Sequence, residues 1–528
     1  MLIAGIGGLL RGAAAAVLRD GQLVAAMEEE KLRGARLARR PGTLPLESLG
    51  ACLELAGATA EQVDWVVLAG PLGSGASSHL HLQVKSLFPN GRIRVVDHQT
   101  AHAASAYYVS GFEQATVLTL DRGGDMRCGA RWSAQGNALR LEEELYVPDS
   151  PAELYGRITE LVGFRARADE HKVQWLSAAG RPVYAPLLRE VMGTNSHGWP
   201  NFDRSFFDAN RNTQGGFSEK FFGRLGAGDP PELTEQLRQD LAASVQQAVE
   251  EVAMEIAGRG ENLCLAGGLG LNALLVAALE ASGRYRNVFV QPAAGNSGTA
   301  LGAALYGWHH VAGRAERVSL GNLCYGPGFD REQIKKVLEN CKLRFRILQT
   351  TEELISTAVE RLADRQIVAW FQGRMEFGPR ALGNRSLLAS PLNPYSTVNL
   401  NEYIKHREPF RKFAASVPAE AASEYFECGA NARFLATVGR VRPAYREKFE
   451  AAVLGGDLIR VHTVERQDNP LYWELLRAAG RATGLPVLYN TSFNLFGEPL
   501  ACDPRDAVRS FYSSGIDAMF VGNFFLEK

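Results

Sequence analysis

The stretch LIAGIGGLLRGAAAAVLRDGQLVAAMEEE, residues 2–30, carries the pattern that decides the fold. Its apolar runs LIAGIG, AAAVL and QLVAAM have the length and composition of β-strands, and glycines follow the first run. Asp20 and Gly21 separate the second and third runs, and Asp-Gly is a strong signal for a two-residue hairpin turn. The segment therefore predicts three consecutive strands, of which the last two form a β-hairpin.

Strand and helix patterns alternate after this segment. VDWVVLAG and RIRVVDH predict short strands, and residues 232–260 carry a long helical pattern. The alternation predicts a layered α/β domain, which we assign to residues 1–335. A second α/β unit, assigned to residues 340–528, has the helical pattern EELISTAVERLADRQ and the strand IVAWFQG, and AMFVGNFFLEK predicts its last strand. The sequence shows no internal repeat.

Composition limits the class of protein. A chain of 528 residues with 46% hydrophobic and 22% charged residues has the balance of a soluble protein and the length for two or more domains. Its 57 basic and 58 acidic residues nearly cancel. We therefore expect no nucleic-acid or membrane partner, and any anion site must be local. The oligomeric state, including a homo-oligomer, stays open.

The cysteines and the first residues predict a cytoplasmic location. The seven cysteines form no CxxC pair, which fits reduced thiols better than disulfides or a cysteine-bound zinc. The first ten residues are apolar, but Arg11 and Arg19 follow and no charged segment precedes them. Neither a signal peptide nor a membrane span is expected from this pattern.

Two neighbouring stretches predict a metal site. In DHQTAHAASAYY, residues 97–108, His98 and His102 are four residues apart, so on a helix their imidazoles share a face. The strand pattern TVLTLDRGGD, residues 116–125, ends at Asp121, where α/β sheets place ligand-binding side chains. A capping or surface role for the histidines and a turn role for Asp121 remain the alternatives.

Two glycine turns predict backbone sites for anions. LCLAGGLGLNALL, residues 263–275, is a strand followed by Gly267, Gly268 and a helix that carries Asn272. VQPAAGNSGTALGAALYG, residues 290–307, has the same form, with Asn296 at the turn. The amides of such turns can hold phosphate or carboxylate, although many glycine turns bind nothing.

Basic and small polar residues cluster in the second unit. They lie in FQGRMEFGPRALGNRSLLASP (371–391), YIKHREPFRKF (403–413) and LYNTSFN (488–494). A solvated charged face is the alternative, but prolines and aromatic residues interrupt these runs. Arginine matches phosphate and carboxylate oxygens bidentately, which favours an enzyme that handles ATP or an acyl phosphate. The candidate side chains are Arg374, Arg380, Arg385, Lys405, Arg407, Arg411, Asn490, Ser492 and Asn494.

Long stretches of the chain resemble a known family. GRMEFGPRALGNRSLLASP, KHREPFRKFAASV and the segment from LPVLYNTSFN to the end are similar to the C-terminal domain of the O-carbamoyltransferases that modify nodulation factors and antibiotics. DHQTAHAASAYY, EHKVQWLSAAGRP, LAGGLGLN and PAAGNSGTALGAAL resemble that family's N-terminal domain more loosely. The resemblance covers nearly the whole chain.

This resemblance implies a fold and a reaction. The first domain is expected to have an actin-like fold, as in sugar kinases and the ATPases of tRNA threonylcarbamoylation, and the second a YrdC-like fold. The second domain would make carbamoyl-adenylate and pyrophosphate from carbamoyl phosphate and ATP. The first would pass the carbamoyl group to a hydroxyl of a natural product or sugar, with a divalent, iron-like metal; magnesium would accompany ATP.

The resemblance also assigns residues. His98, His102 and Asp121 would hold the metal and serve the transfer, while Arg380 and Lys405 would act in adenylate formation. Substrate and nucleotide binding is expected from Arg374, Arg380, Arg385, Lys405, Arg407, Arg411, Asn490, Ser492, Asn494, Lys172, Gly267, Gly268, Asn272 and Asn296.

The first domain departs from the family pattern. Leu10 and Gly12 stand where the family carries a histidine and an aspartate, Arg122 replaces a glycine, and Asn296 replaces an acidic residue. In the second domain Arg460 is retained within an altered stretch. Two hypotheses follow: an active O-carbamoyltransferase with a divergent acceptor site, or a paralogue that carbamoylates an amine or acts as a regulatory partner. A sugar kinase would leave the second domain unexplained.

Overall fold

A computed structural model of the chain describes residues 1–33, 43–70, 76–211, 214–226, 228, 231–317 and 319–528. The opening segment forms the three predicted strands, and Asp20 and Gly21 both have positive φ, as the hairpin turn requires. Five strands make the first sheet: β1 (Leu2–Gly7), β2 (Ala14–Arg19), β3 (Gln22–Glu28), β4 (Trp65–Ala69) and β5 (Arg92–Val96). Their order is β3-β2-β1-β4-β5, with β1 to β3 antiparallel and β4 and β5 parallel to β1.

The second sheet repeats this topology. Its strands are β6 (Gln114–Gly124), β7 (Arg127–Gln135), β8 (Ala138–Tyr146), β9 (Gly260–Ala266) and β10 (Tyr285–Val290). The order is β10-β9-β6-β7-β8. As in the first sheet, the first three strands along the chain, β6 to β8, pair antiparallel, and the later strands β9 and β10 run parallel to β6. The first domain is therefore duplicated in topology, although its sequence shows no repeat.

The second domain is built on one mixed sheet of ten strands. Its order is β11-β20-β19-β12-β13-β18-β14-β17-β16-β15. The strands are β11 (Arg346–Ile347), β12 (Val368–Phe371), β13 (Arg385–Ala389), β14 (Ala414–Pro418), β15 (Phe426–Glu427), β16 (Val438–Val441), β17 (Leu458–Val464), β18 (Leu488–Ser492), β19 (Ala518–Val521) and β20 (Phe524–Glu527).

Helices cover the sheets. Those of the first domain are α1 (Glu29–Arg33), α2 (Leu46–Leu55), α3 (Ala76–Leu87), α4 (His98–Tyr107), α5 (Pro151–Leu161), α6 (Glu170–Leu176), α7 (Ala185–Met192), α8 (Glu219–Leu225), α9 (Glu235–Ala257), α10 (Ala273–Ala281) and α11 (Gly298–Tyr306). The later ones are α12 (Arg331–Asn340), α13 (Thr351–Ala363), α14 (Ser396–Val398), α15 (Ala422–Tyr425), α16 (Pro470–Thr483) and α17 (Pro504–Tyr512). Within the described residues, none of these helices has both the length and the apolarity needed to cross a bilayer.

Helix α11 packs closely against α4 and β1, and glycines make this possible. A Cβ on Gly302 of α11 would lie 1.8 Å from the carbonyl oxygen of Ala101 in α4. A Cβ on Gly5 of β1 would lie 2.1 Å from the carbonyl oxygen of Ala300. Real Cβ atoms do not approach oxygen this closely, so only glycine fits at either position. These contacts fix α4, the helix that carries both candidate metal-binding histidines.

Polar and aromatic contacts join the two domains. The carboxylate of Glu280 in α10 accepts hydrogen bonds from Asn431 Nδ2 at 2.7 Å and Thr437 Oγ1 at 2.6 Å. Phe410 of the second domain packs against Phe164 of the first, with ring centroids 6.4 Å apart. The second domain is thus attached at several separate points.

The α/β class predicted from the alternation is confirmed. The prediction that AMFVGNFFLEK forms a single last strand is wrong, because this segment forms the two antiparallel strands β19 and β20. Gly522, at φ +55°, makes the turn between them. The domain limits 1–335 and 340–528 stay predictions; Ile334 and Leu338 of α12 pack with the core of the second domain.

We predict that Gly302→Ala destabilises the protein by about 1–3 kcal/mol, because the added methyl group forces α11 away from α4. Chemical denaturation measures the effect. The control is Gly50→Ala in α2, where a Cβ meets no atom within 4 Å. Replacing a helical glycine there is expected to stabilise by up to about 1 kcal/mol. Equal stability changes in the two variants would contradict the close approach of α11 to α4.

Candidate metal centre and anion site

Three buried side chains of the first domain converge on one point. His98 and His102 lie one turn apart on α4, as predicted, and Asp121 lies near the end of β6. The Nε2 atom of His98 is 2.9 Å from Asp121 Oδ2, and that of His102 is 3.2 Å from it. The two Nε2 atoms are 3.1 Å apart. The structure therefore brings the three predicted metal ligands together.

Local structure aims these side chains. Asp97 caps α4 by accepting a hydrogen bond from the Thr100 amide at 2.8 Å. The carbonyl oxygen of Gly70 accepts from His98 Nδ1 at 3.1 Å, so Nε2 faces the cluster. A protonated imidazole donates from Nε2 to Asp121, whereas a neutral one would offer the Nε2 lone pair to a metal ion. Asp121 Oδ1 accepts from the Arg122 amide at 2.7 Å, so that Oδ2 faces the imidazoles.

Gly124 and Asp125, in the turn between β6 and β7, contact His98. A Cβ on Gly124 would lie 2.4 Å from the ring of His98, so the strand passes the imidazole only because this residue has no side chain. Asp125, next along the chain, has φ +55° and accepts from the His98 amide at 2.6 Å. The β6–β7 turn is thereby tied to the start of α4.

The electrostatics of the cluster favour an ionised carboxylate. Burial would raise the pKa of Asp121, but hydrogen bonds from His102 and His98 outweigh it and hold that pKa well below its usual value. Burial would lower the pKa of His98, yet the hydrogen bond and charge of Asp121 raise it. Burial, together with the charge of His98, lowers the pKa of His102.

The donor set fits a divalent metal ion. Two imidazoles and one carboxylate are a set that suits Fe²⁺ and similar cations, with positions left for substrate or water. Ligand atoms bound at about 2.1 Å and at right angles to each other lie about 3 Å apart, close to the separations seen here. His98, His102 and Asp121 form the one group of three or more potential metal-binding acidic, histidine or cysteine side chains among the described residues.

Two of the predicted phosphate-binding arginines are engaged by backbone. Arg385 is fully buried, donates to the carbonyl oxygens of Gln372 (2.6 Å) and Pro327 (3.2 Å), and stacks on Phe371. Arg374 donates to the carbonyl oxygens of Tyr325 (2.7 Å), Gly326 (2.9 Å) and, in the first domain, Val24 (3.0 Å). These contacts give both arginines a structural role, and their predicted part in phosphate binding stays a prediction.

Arg380 belongs instead to a group of half-buried arginines. Burial and the charge of Arg411 lower the pKa of Arg380 to about 10. Burial and Arg411 lower that of Arg407 to about 9, although Glu408 opposes the shift. The pKa of Arg460 is lowered well below its usual value by burial and by the other three arginines. Four guanidinium groups thus lie close enough to repel one another, and we call Arg380, Arg407, Arg411 and Arg460 the arginine cluster.

First-domain residues border the arginine cluster. Arg380 donates to the carbonyl oxygen of Leu271 at 3.3 Å, and Arg460 lies over the ring of Trp175. Lys172 of α6 pairs with Glu408 at 2.7 Å across the domain junction, and its predicted part in substrate binding stays a prediction. Burial, followed by the charges of Arg411 and Arg380, lowers the pKa of His171 to about 3.

The structure also assembles a lysine site. Lys405 is buried and donates to the carbonyl oxygen of Ser492 at 2.5 Å. It also donates to Asn494, at 2.7 Å to both the carbonyl and the side-chain oxygen. Ser492 Oγ donates to Asn494 Oδ1 at 2.7 Å. Three predicted binding residues from two separate stretches therefore meet.

The remaining predicted residues have structural contacts. Asn272 caps α10 and donates to Gln246 at 2.8 Å, while Asn490 donates to the Ala381 carbonyl oxygen at 3.1 Å. Gly267 has φ +90°, and a Cβ there would strike the backbone of Leu120. Gly268 lies next to a candidate metal ligand, since a Cβ there would be 3.1 Å from Asp121 Oδ1. Asn296 lies beside Gly12, in the connection between β1 and β2.

Sequence reasoning missed Glu376. Its buried Oε1 accepts from the amides of Leu382 (2.8 Å), Asn384 (2.9 Å) and Arg385 (3.2 Å), and so shapes the loop that carries Arg380. A single acid within the basic run GRMEFGPRALGNR was the available signal.

Comparison with known proteins identifies the family. Residues 78–305 match the model of the carbamoyltransferase N-terminus, and residues 359–528 match that of the carbamoyltransferase C-terminus. The nodulation protein NolNO of Sinorhizobium fredii is 33% identical over 98% of this chain and 78% of its own length. An uncharacterized protein of Synechocystis is 31% identical over 100% of this chain and 96% of its own.

A named O-carbamoyltransferase is also similar over part of its length. The 3'-hydroxymethylcephem-O-carbamoyltransferase of Amycolatopsis lactamdurans is 32% identical over 56% of this chain and 53% of that enzyme. With both family models matched and relatives above 30% identity along almost the whole chain, the protein belongs to the carbamoyltransferase family and is an enzyme of that family.

Proposed function

We propose that this enzyme is an ATP-dependent O-carbamoyltransferase whose two domains divide the reaction. The second domain makes carbamoyl-adenylate from carbamoyl phosphate and ATP. The first transfers the carbamoyl group to a hydroxyl of a small-molecule acceptor. The proposal includes an actin-like fold for the first domain, which its duplicated sheet topology supports, and a YrdC-like fold for the second.

The observation that carries the proposal is the arginine cluster. Like charges that lie close together in a half-buried site destabilise it unless an anion joins them. Glu408 is an acidic group beside Arg407 and Arg411, and Lys172 also pairs with it. A polyphosphate or carbamoyl phosphate would match the unbalanced charge, because guanidinium groups bind phosphate oxygens bidentately.

Atom balance fixes the first half of the reaction. Carbamoyl-adenylate contains a single phosphate, that of AMP, so carbamoyl phosphate must lose its own phosphate. Water cleaves it to carbamate and inorganic phosphate, and a carbamate oxygen then attacks the α-phosphorus of ATP. The bond between the α- and β-phosphates breaks, and pyrophosphate leaves. The arginine cluster and Lys405 neutralise the charge that grows on the departing phosphates.

The second half takes place in the first domain. The acceptor hydroxyl attacks the carbamoyl carbon, the bond to the adenylate oxygen breaks, and AMP leaves while the hydroxyl loses its proton. His98, His102 and Asp121 would hold a divalent cation, which supplies Lewis acidity when bound. The Gly70 carbonyl oxygen and the Arg122 amide keep those side chains in their orientation.

The hydroxyl acceptor is supported by the name of the Amycolatopsis relative, an O-carbamoyltransferase. Asn296 supplies a neutral amide where the resemblance implies an acid, and a weaker metal ligand is better tolerated with an amine acceptor, which is the second candidate function. Incubation with carbamoyl phosphate, ATP and a panel of alcohols and amines separates these. Carbamate esters in the products support the proposal, whereas ureas alone, or adenylate formation without transfer to any alcohol, would overturn it.

We predict that Arg380→Ala lowers the rate of pyrophosphate release at least about 100-fold, because it removes a donor to charge developing in the transition state. Release is followed by a coupled pyrophosphatase assay with carbamoyl phosphate and ATP. The control is Arg481→Ala, which removes an exposed arginine paired with Glu474. Retained activity in Arg380→Ala would exclude the proposed role.

We expect pyrophosphate to raise the melting temperature more than chloride at equal ionic strength. The folded protein holds Arg407 at a pKa of about 9, below its ordinary 12.5. The repulsion is therefore complete below pH 9 and is relieved as the arginine loses its proton above that pH. Anion stabilisation should be large at pH 7 and shrink above pH 9. Differential scanning calorimetry tests this, and an equal shift with chloride would count against an anion site.

Loss of a hydrogen-bond partner of a metal ligand typically lowers metal affinity about 10- to 100-fold. We expect His102→Ala to lower the affinity for a divalent metal by more than this, because it removes a ligand itself. Metal content after dialysis, measured by mass spectrometry, gives the result without reference to activity. His197→Ala is the matched control because His197 is exposed and lies outside the cluster. Unchanged metal content in His102→Ala would show that the three side chains are not the ligands.

A further inference from the structure

The first domain reaches into the loop of the second domain that carries Arg380. Lys31 of α1 is 4% exposed, and its Nζ donates to the carbonyl oxygens of Glu376 at 2.9 Å and Gly378 at 2.7 Å. The third partner of Nζ is Glu28 at 2.9 Å. The ammonium group of Lys31 thus contacts two backbone carbonyl oxygens of the other domain and one neighbouring carboxylate.

Glu28 of the first domain binds the same backbone segment as Lys31. Its Oε1 accepts from the Gly378 amide at 2.7 Å, so Gly378 is held by both its N–H and its C=O groups. Gly378 has φ +101°, a conformation that residues with a side chain rarely adopt. Its backbone also lies against the turn after β10, near Ala293. Three hydrogen bonds from the first domain therefore fix a backbone bend in the second, and the ion pair between Lys31 and Glu28 holds the two side chains together. We call Glu28 and Lys31 the cross-domain clamp.

The bend is connected to Arg380 through Glu376. The Glu376 carbonyl oxygen is held by Lys31, while its side-chain carboxylate accepts three amides of residues 382–385. Arg380 lies between these two anchored points and donates to the Leu271 carbonyl oxygen of the first domain. Moving the clamp would move both anchors of the loop at once.

We propose that Glu28 and Lys31 are positioning residues for Arg380, so that the anion site of the second domain takes its active geometry only when the first domain is docked on it. This rests on the proposed function, in which Arg380 binds phosphate. A buried lysine and glutamate are costly to keep in the interior of a protein unless both are fully paired. Here the partners of Lys31 and Glu28 include backbone groups of the second domain. The two side chains are therefore fully paired only when the domains are docked.

The test replaces Lys31 with methionine in the full chain. Without Nζ, the carbonyl oxygens of Glu376 and Gly378 lose their partner and the loop is released. We expect kcat/KM for carbamoyl phosphate in pyrophosphate release to fall by about 10- to 100-fold, the loss typical of a small misplacement of a catalytic group. The change should fall mainly on KM for carbamoyl phosphate, while metal binding at the histidine site stays unchanged.

A double-mutant cycle separates positioning from general damage. If Lys31 acts through Arg380, Lys31→Met adds little to the defect of Arg380→Ala. Additive defects would overturn the proposal. Glu280→Gln is the matched control, because it removes a half-buried carboxylate from another part of the domain junction. It is expected to leave KM for carbamoyl phosphate unchanged, and an equal rise in KM would assign the effect to docking in general.

Hydrogen exchange measured by mass spectrometry tests the clamp independently of activity. Lys31→Met should accelerate exchange of the amides in residues 376–385 while residues 429–437 keep their protection. The milder Glu28→Gln, which keeps an oxygen for the Gly378 amide, should act in the same direction and covers a failure of Lys31→Met to fold. Unchanged exchange in residues 376–385 in a folded variant overturns the clamp. An intact clamp in an enzyme that releases no pyrophosphate would instead refute the proposed function.

Discussion

Buried positive charge is the constraint on which the second domain and its junction depend. A cation removed from water needs partners, and this chain provides them in two ways. Arg385, Lys31 and Lys405 donate mainly to backbone carbonyl oxygens, which fixes loops in place. Among the described residues, Arg380 and Arg460 each donate to one backbone carbonyl oxygen, that of Leu271 and that of Leu435. They also face other arginines, and Arg460 lies over the ring of Trp175. The first group builds the frame, and in the proposed function the second group binds the phosphate-bearing ligand.

The duplicated topology of the first domain explains where its chemistry lies. The carboxyl ends of β1 and β6 occupy equivalent places in the two sheets. The β6 end carries Asp121, beside the histidines of α4, whereas the β1 end leads into the glycine-containing stretch 8–12. Close packing of α11 on both β1 and α4 requires Gly5 and Gly302. The candidate metal ligands therefore come from α4 and from β6, and Gly5 and Gly302 let α11 pack against both β1 and α4.

The sequence predicted the strongly local features and the three candidate metal ligands that the structure brings together. His98 and His102 were predictable because the i, i+4 spacing is fixed by helix geometry, and Asp121 because apolar strands end visibly. The roles of Arg374 and Asn272 were not predictable in the same way. Whether an arginine faces a ligand or a carbonyl oxygen, and whether an asparagine caps a helix, depends on tertiary contacts. The cross-domain clamp lies in the run EEEK, which in sequence is indistinguishable from a solvated charged surface.

The proposed division of the reaction between two domains raises a problem of timing, and the junction offers a physical answer. A carbamoyl-adenylate formed before the transfer site is in place would be lost to water. Because the loop of Arg380 is held by Lys31 and Glu28, the contacts that shape the proposed activating site are contacts with the proposed transfer domain. Phe410 and Glu408 dock the second basic loop in the same way, on Phe164 and Lys172. Both basic loops are therefore held by contacts across the domain junction, and in the proposed function this arrangement couples formation of the intermediate to the presence of the site that consumes it.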